Sequence, residues 1–371
     1  MGKQKYANQP CPCGSGIKYK KCCLNKTEEQ KLGEAVSTSM LNIKNEARIK
    51  RCLHPKQDEC QGKIVKAHAI QNNRILNKLA ENGMVVTLDG SSHFIFQTSD
   101  IKGRSITTTF TGFCSYHDKT LFQDIEDKKF IGNKKQIFLL TYRTMAWHYH
   151  KKQEQINAVC IQTEKMFKQG YDIAKSDDFI DYLTGLKLGS MDNDKEKHLF
   201  DTALLSEQYD EISSWIWEIP YEISSAVSMM TELEHDIYGE EINNLETDSD
   251  LKKIYLNIFP AHGKSFCIWS WMNNHDDTYK KFAEQFSKLD IKDRENYFNN
   301  SLPRWTDSIV ISPRLWNMWG SRIQEGLIAH ANFDVLYRAR EKEDNDYAYT
   351  YKDTPWNFFE NILTQPLGLD F

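Results

Sequence analysis

Several things are missing from this 371-residue sequence. It has no run of about 18 apolar residues, so no segment reads as a membrane span. The opening MGKQKYANQP is polar and offers no apolar leader. Tyr6 stands where an N-myristoylation signal calls for Ser or Thr. The stretch HGKS at 262–265 has the tail of a phosphate-binding loop, but the glycine such a loop needs before it is absent. Cysteine is scarce, with nine residues, and four of these fall between positions 11 and 23. These absences lead to the expectation of a cytoplasmic protein with no membrane partner. In that setting thiols stay reduced, and clustered cysteines point to metal or catalysis rather than disulfides.

Charge is present but divided. Residues 1–151 hold 25 Lys and Arg against 13 Asp and Glu, a net of +12, which leaves −17 for residues 152–371. A basic half joined to an acidic half suggests modules with different partners. The basic half suits a polyanion such as nucleic acid. Mutual attraction of the halves, or plain solvation, is the alternative.

The run PCPCGSGIKYKKCCL at 10–24 sets Cys11, Cys13, Cys22 and Cys23 at Cys-x-Cys-x8-Cys-Cys spacing. Four thiolates match the tetrahedral, soft-ligand preference of a structural zinc ion. Gly14 and Gly16 allow a tight turn between the pairs. This run resembles the SEC-C motif, the zinc tail of the SecA translocase. The resemblance implies a bacterial protein with a zinc-bound knob over residues 1–25 that docks a protein partner, without implying secretion. Residues 26–50 read as a helical linker with Thr27 as its N-cap and Gln30 three positions on.

A second set follows. Cys52 and Cys60 flank a turn containing Pro55, and Cys114 and His117 have Cys-x2-His spacing where a helix begins. Between them MVVTLDGSSHFIFQTSD and RSITTTFTGF read as strands with turns at Asp89–Gly90 and Gly103. The order is knuckle, short helix, hairpin, then a ligand pair at a helix start. It predicts a treble-clef-like zinc domain over 51–130, with Cys52, Cys60, Cys114 and His117 as ligands and His54 as a possible substitute ligand. The section resembles the HNH (ββα-metal) nucleases in outline. That resemblance implies His68 of IVKAHAI as general base and Asn72 or Asn73 as the intervening Asn. It also implies Asp118 as a ligand for a catalytic Mg²⁺ or Mn²⁺, hydrolysing DNA or RNA. The sequence departs from the family pattern at Ala67, where an Asp or a second His usually precedes the catalytic His, and in the long span from His68 to Cys114.

Beyond 130 the pattern turns helical. Phe138, Leu139, Tyr142, Met145, Ala146 and Tyr149 recur at three and four residues. His148, His150 and Cys160 read as packing residues, and 175–210 as polar helix with a break at LGSMDND. Eight of nine tryptophans lie beyond 210. There Trp215, Trp217, Ile219 and Tyr221 alternate as on a strand, two more strands surround AHGK, and three helices follow. The expected architecture is α+β: a zinc knob (1–25), a linker (26–50), a treble-clef core (51–130), a helical connector (131–210) and an acidic α+β domain (211–371). Two functions stay open, an HNH-like nuclease and a non-catalytic zinc-binding adaptor for protein or nucleic acid. Both carry two Zn²⁺ sites.

Overall fold

The computed structural model describes residues 8–10, 18–21, 39–89, 97–170, 176–244, 250–333 and 352–362. The fold is α+β. Strands β1 (Ile64–His68) and β4 (Thr109–Cys114) form a two-stranded antiparallel sheet. The other strands are β2 (Met84–Thr87), β3 (Asp100–Gly103), β5 (Ile212–Ile219), β6 (Ser225–Thr231), β7 (Ile254–Ala261), β8 (Lys264–Met272) and β9 (Ile309–Ile311). These form a seven-stranded sheet in the order β3-β2-β9-β6-β7-β8-β5, and all its pairings are antiparallel.

Period-two alternation builds both faces of this sheet. On β8, Cys267, Trp269 and Trp271 enter an aromatic core, while Ile268 and Met272 enter the opposite one. The first core is covered by α4 (Asp276–Lys288), α5 (Ile291–Trp305) and α6 (Pro313–Ala331). Trp217 and Ile219 are buried there, with Trp215 and Tyr221 packed alongside, as the alternation of β5 foretold.

The opposite face is covered by α2 (Lys134–Lys168). Asn133 caps this helix, its side chain accepting from the Gln136 amide at 2.9 Å. The first half of α2 is buried almost all round, because two layers enclose it. On the sheet side, Thr141 Oγ1 lies 2.9 Å from Ser270 Oγ, and Thr144 Oγ1 lies 2.9 Å from Ser228 Oγ. On the other side the helix shares a core with Phe110, Phe113 and Phe122 of the Cys/His region. His148 Nε2 accepts from the Met230 amide at 3.1 Å, and His150 is buried, so both serve packing as expected. Cys160 is exposed, against the packing role expected of it.

Two further features depart from the sequence reading. Strands β2 and β3 leave the Cys/His segment to join the large sheet, so that sheet crosses the boundaries expected at 130 and 210. The break expected at LGSMDND is absent, since α3 (Asp177–Leu205) runs through it. Among the described residues no helix is long and apolar enough to cross a membrane.

Candidate metal centre

The chain reaches the site through Cys52, whose flanking residues pair with β4. The Leu53 amide donates to the Gly112 carbonyl at 2.8 Å, and the Arg51 amide to the Thr111 carbonyl at 3.2 Å. A turn through Gln57–Glu59 then presents Cys60. Gly62 returns the chain to β1 with φ of +74°, which strains any other side chain, and a Cβ there would displace the Ser115 hydroxyl, 2.1 Å away. Gly112 is equally confined, with the Phe110 ring 2.5 Å from where its Cβ would be.

Cys114 ends β4 and caps α1 (Ser115–Glu126), its sulfur accepting from the His117 amide at 3.5 Å. An amide-to-sulfur bond at a helix start favours the thiolate, as does the helix dipole. His117 follows one turn later and turns Nδ1 toward all three sulfurs. The separations are 3.4 Å to Cys52, 3.6 Å to Cys60 and 3.4 Å to Cys114.

The four ligand atoms lie within 4.8 Å of one another. A tetrahedral zinc ion with Zn–S of about 2.3 Å and Zn–N of about 2.1 Å sets sulfur and nitrogen ligands about 3.6 Å apart. The Nδ1–sulfur distances meet that requirement, so these residues fit a zinc ion. Three of the four residues are buried, which suits a closed structural site. His54 is not among the ligands. Its ring stacks on His117 with centroids 3.8 Å apart and planes 8° from parallel, and its Nδ1 accepts from the Lys56 amide. Burial, with His117 adding, lowers the His54 pKa to about 4, so it stacks as a neutral ring.

The structure sets His68 at the end of β1, paired with Thr109 on β4. Its Nε2 is buried and has no hydrogen-bond partner. Asp118 lies in the first turn of α1, partly buried. Both feel one ion pair that the sequence did not reveal, between Arg143 of α2 and Glu126 of α1. Burial lowers the pKa of His68, and Arg143 acts in the same direction. Burial raises that of Asp118, with Arg143 opposing. Asn72 is occupied, its Oδ1 accepting from Arg104 at 2.8 Å, and Asn73 is exposed. Arg143 and Glu126 were invisible beforehand because one reads as a helix-interior cation and the other as a surface charge.

Cys11, Cys13, Cys22 and Cys23 lie outside the described residues. Pro10 and Lys18 form an antiparallel bridge, and Tyr19–Lys21 makes a single helical turn. No curated protein and no solved structure matches the chain. A family model does match its N-terminus: residues 8–25 are an SEC-C motif, and with the Cys52–His117 cluster they give the chain two segments suited to zinc.

Proposed function

We propose that the chain is a zinc-binding adaptor in which a treble-clef-like unit, held by Cys52, Cys60, Cys114 and His117, docks nucleic acid without cutting it. A second zinc, on Cys11, Cys13, Cys22 and Cys23, builds an N-terminal knob for a protein partner. The observation that carries the reading is the lysine surface of the Cys/His region. Lys50, Lys63, Lys66, Lys119 and Lys129 are all exposed, and none has a carboxylate partner among the described residues. Unpaired cations of this kind gain most by neutralising phosphates and releasing counterions. Arg143, 3% exposed, and its ion-pair partner Glu126 act on both His68 and Asp118 with opposite signs.

One observation favours the HNH-like nuclease as the second reading. The Nε2 of His68 has no partner, and the Asp118 carboxylate accepts no hydrogen bond among the described residues. A general base and a ligand for Mg²⁺ or Mn²⁺ would need such vacant atoms.

A single set of assays separates the two. Purified protein should retain a labelled oligonucleotide, and binding should weaken steeply with salt. Lys66→Glu with Lys119→Glu should weaken it further, leaving the zinc content unchanged. Metal analysis should give two zinc ions per chain, and one after Cys11→Ser. Retention that ignores salt and both lysines would end the adaptor reading. Cleavage that needs Mg²⁺ or Mn²⁺ and vanishes in His68→Ala would replace it with the nuclease.

A further inference from the structure

Away from the metal cluster, a cavity of about 440 Å³ opens between the helical turn Asn72–Leu76, the end of α1, helix α2 and the β7–β8 turn. Its wall carries four permanent cations, Arg74, Lys78, Lys128 and Arg143, together with His262. No carboxylate lines it. Glu222, Asp124 and Glu126 pair with Lys78, Lys128 and Arg143 from outside the wall. Among the described residues Arg74 has only neutral partners, the backbone carbonyls of Asp127 and Lys128, and no carboxylate pairs with it. Arg143 is buried and its Nε has no hydrogen-bond partner, a costly state for a guanidinium N–H. Phe130 and Phe259, 5.3 Å apart edge to face, give the same cavity an aromatic wall.

The β7–β8 turn adds a further sign. His262 has φ of +55° and Gly263 has φ of +82°, as in the two-residue hairpin turns with both φ values positive. The first position of such turns favours Asn, Asp or Gly, and histidine is among the other side chains that adopt it. His262 is the turn residue that lines the cavity. Burial lowers the pKa of His262, and Lys129, Arg74 and Lys78 press it further in the same direction. That pattern reports a locally positive field and leaves a neutral ring that can donate or accept.

We infer that this cavity binds a phosphate group attached to a flat ring, the chemistry of a nucleoside monophosphate, with Arg74, Arg143 and His262 on the phosphate and Phe130 beside the ring. A guanidinium matches a phosphate with paired N–H donors, and an aromatic wall takes a base face at little cost in specificity. The volume is in the range of small-ligand sites. The inference stands apart from the polyanion reading, since none of the five lysines used there lines this cavity.

Calorimetric titration of the full chain tests it with three probes: adenosine 5′-monophosphate, inorganic phosphate and adenosine. The monophosphate should bind one per chain, phosphate more weakly, and adenosine not measurably. Arg74→Gln should cut monophosphate affinity tenfold or more with an unchanged melting temperature in the absence of ligand. Lys78→Gln offers a second exposed variant, and His262→Asn keeps the turn while removing the ring. Competition by a 5′-phosphorylated oligonucleotide, and not by its 5′-hydroxyl form, would identify the phosphate as a strand end. Failure of both oligonucleotides to compete would identify a free nucleotide. No binding of monophosphate or phosphate at millimolar concentration would overturn the inference. So would equal binding of adenosine, or unchanged affinity in Arg74→Gln.

Discussion

The Cys/His region and the tryptophan-rich sheet solve the same problem with different materials. Around the large sheet, Trp269, Trp271, Tyr279, Phe282, Phe286 and Phe298 are all nearly or fully buried, and each ring touches others. Aromatic rings carry large apolar areas, so this half is held by surface removed from water. Around Cys52, Cys60, Cys114 and His117 the buried apolar residues, Leu53, Phe110, Phe113 and Phe122 among them, belong to the core shared with α2, and Gly62 holds a positive φ beside Ser115. A structural zinc on the three cysteines and His117 would add folding free energy, on the order of 10 kcal/mol at neutral pH. The contrast teaches that α2 does more than connect. Its buried first half packs against both the sheet and the Cys/His region and joins them in one core.

The sharpest way to break the comparison is to remove one ligand. Cys114→Ser should release the inner zinc and lower the melting temperature more than any single core substitution. The near-ultraviolet tryptophan signal, which comes mostly from residues beyond 210, should persist at moderate temperature. Zinc release with an unchanged melt would show that the metal is not what holds the unit. A core cut should come next in size. Trp269→Ala empties a fully buried site on β8 and should cost about 3–5 kcal/mol by denaturant unfolding, with zinc content unaltered.

The joint between the regions gives a smaller, pH-dependent effect. Burial, with Lys151 adding, lowers the pKa of His148 to about 4, below the ordinary 6.5. Above pH 6.5 both folded and unfolded forms are neutral, and the residue contributes nothing. As pH falls from 6.5 toward 4, the unfolded chain takes up a proton that the folded chain refuses, so stability declines across that window. The decline should reach at most about 3 kcal/mol, and His148→Gln should flatten it. Parallel curves for the two proteins would remove His148 as the cause.

What the sequence revealed and what it hid follow from the range of the contacts. The clustering of Cys52, Cys60, Cys114 and His117 is readable because metal chelation ties spacing to chemistry, and β5, β7 and β8 because each strand or its turn is local. Strand β6, SAVSMMT, was missed because five of its seven residues are buried in a row, which erases the alternation. The three residues of β9 are too few to show any period. His54 stacks on His117 outside the four-residue cluster, a placement that sequence spacing does not distinguish from ligation. The Arg143–Glu126 pair needs two helices laid side by side, and no spacing rule encodes that.

The sheet order has a consequence for how the chain is made. The β2–β3 pair meets the rest of the sheet only through β9, which lies between β2 and β6. More than two hundred residues separate β2 from β9, so a ribosome has translated most of the protein before that edge can close. Until Ile309–Ile311 emerges, β2 keeps an unpaired edge open to any strand nearby, the kind of edge that invites mispairing. Bringing such distant segments together is slow. The Cys/His region, although encoded early, becomes complete only when the last strand arrives.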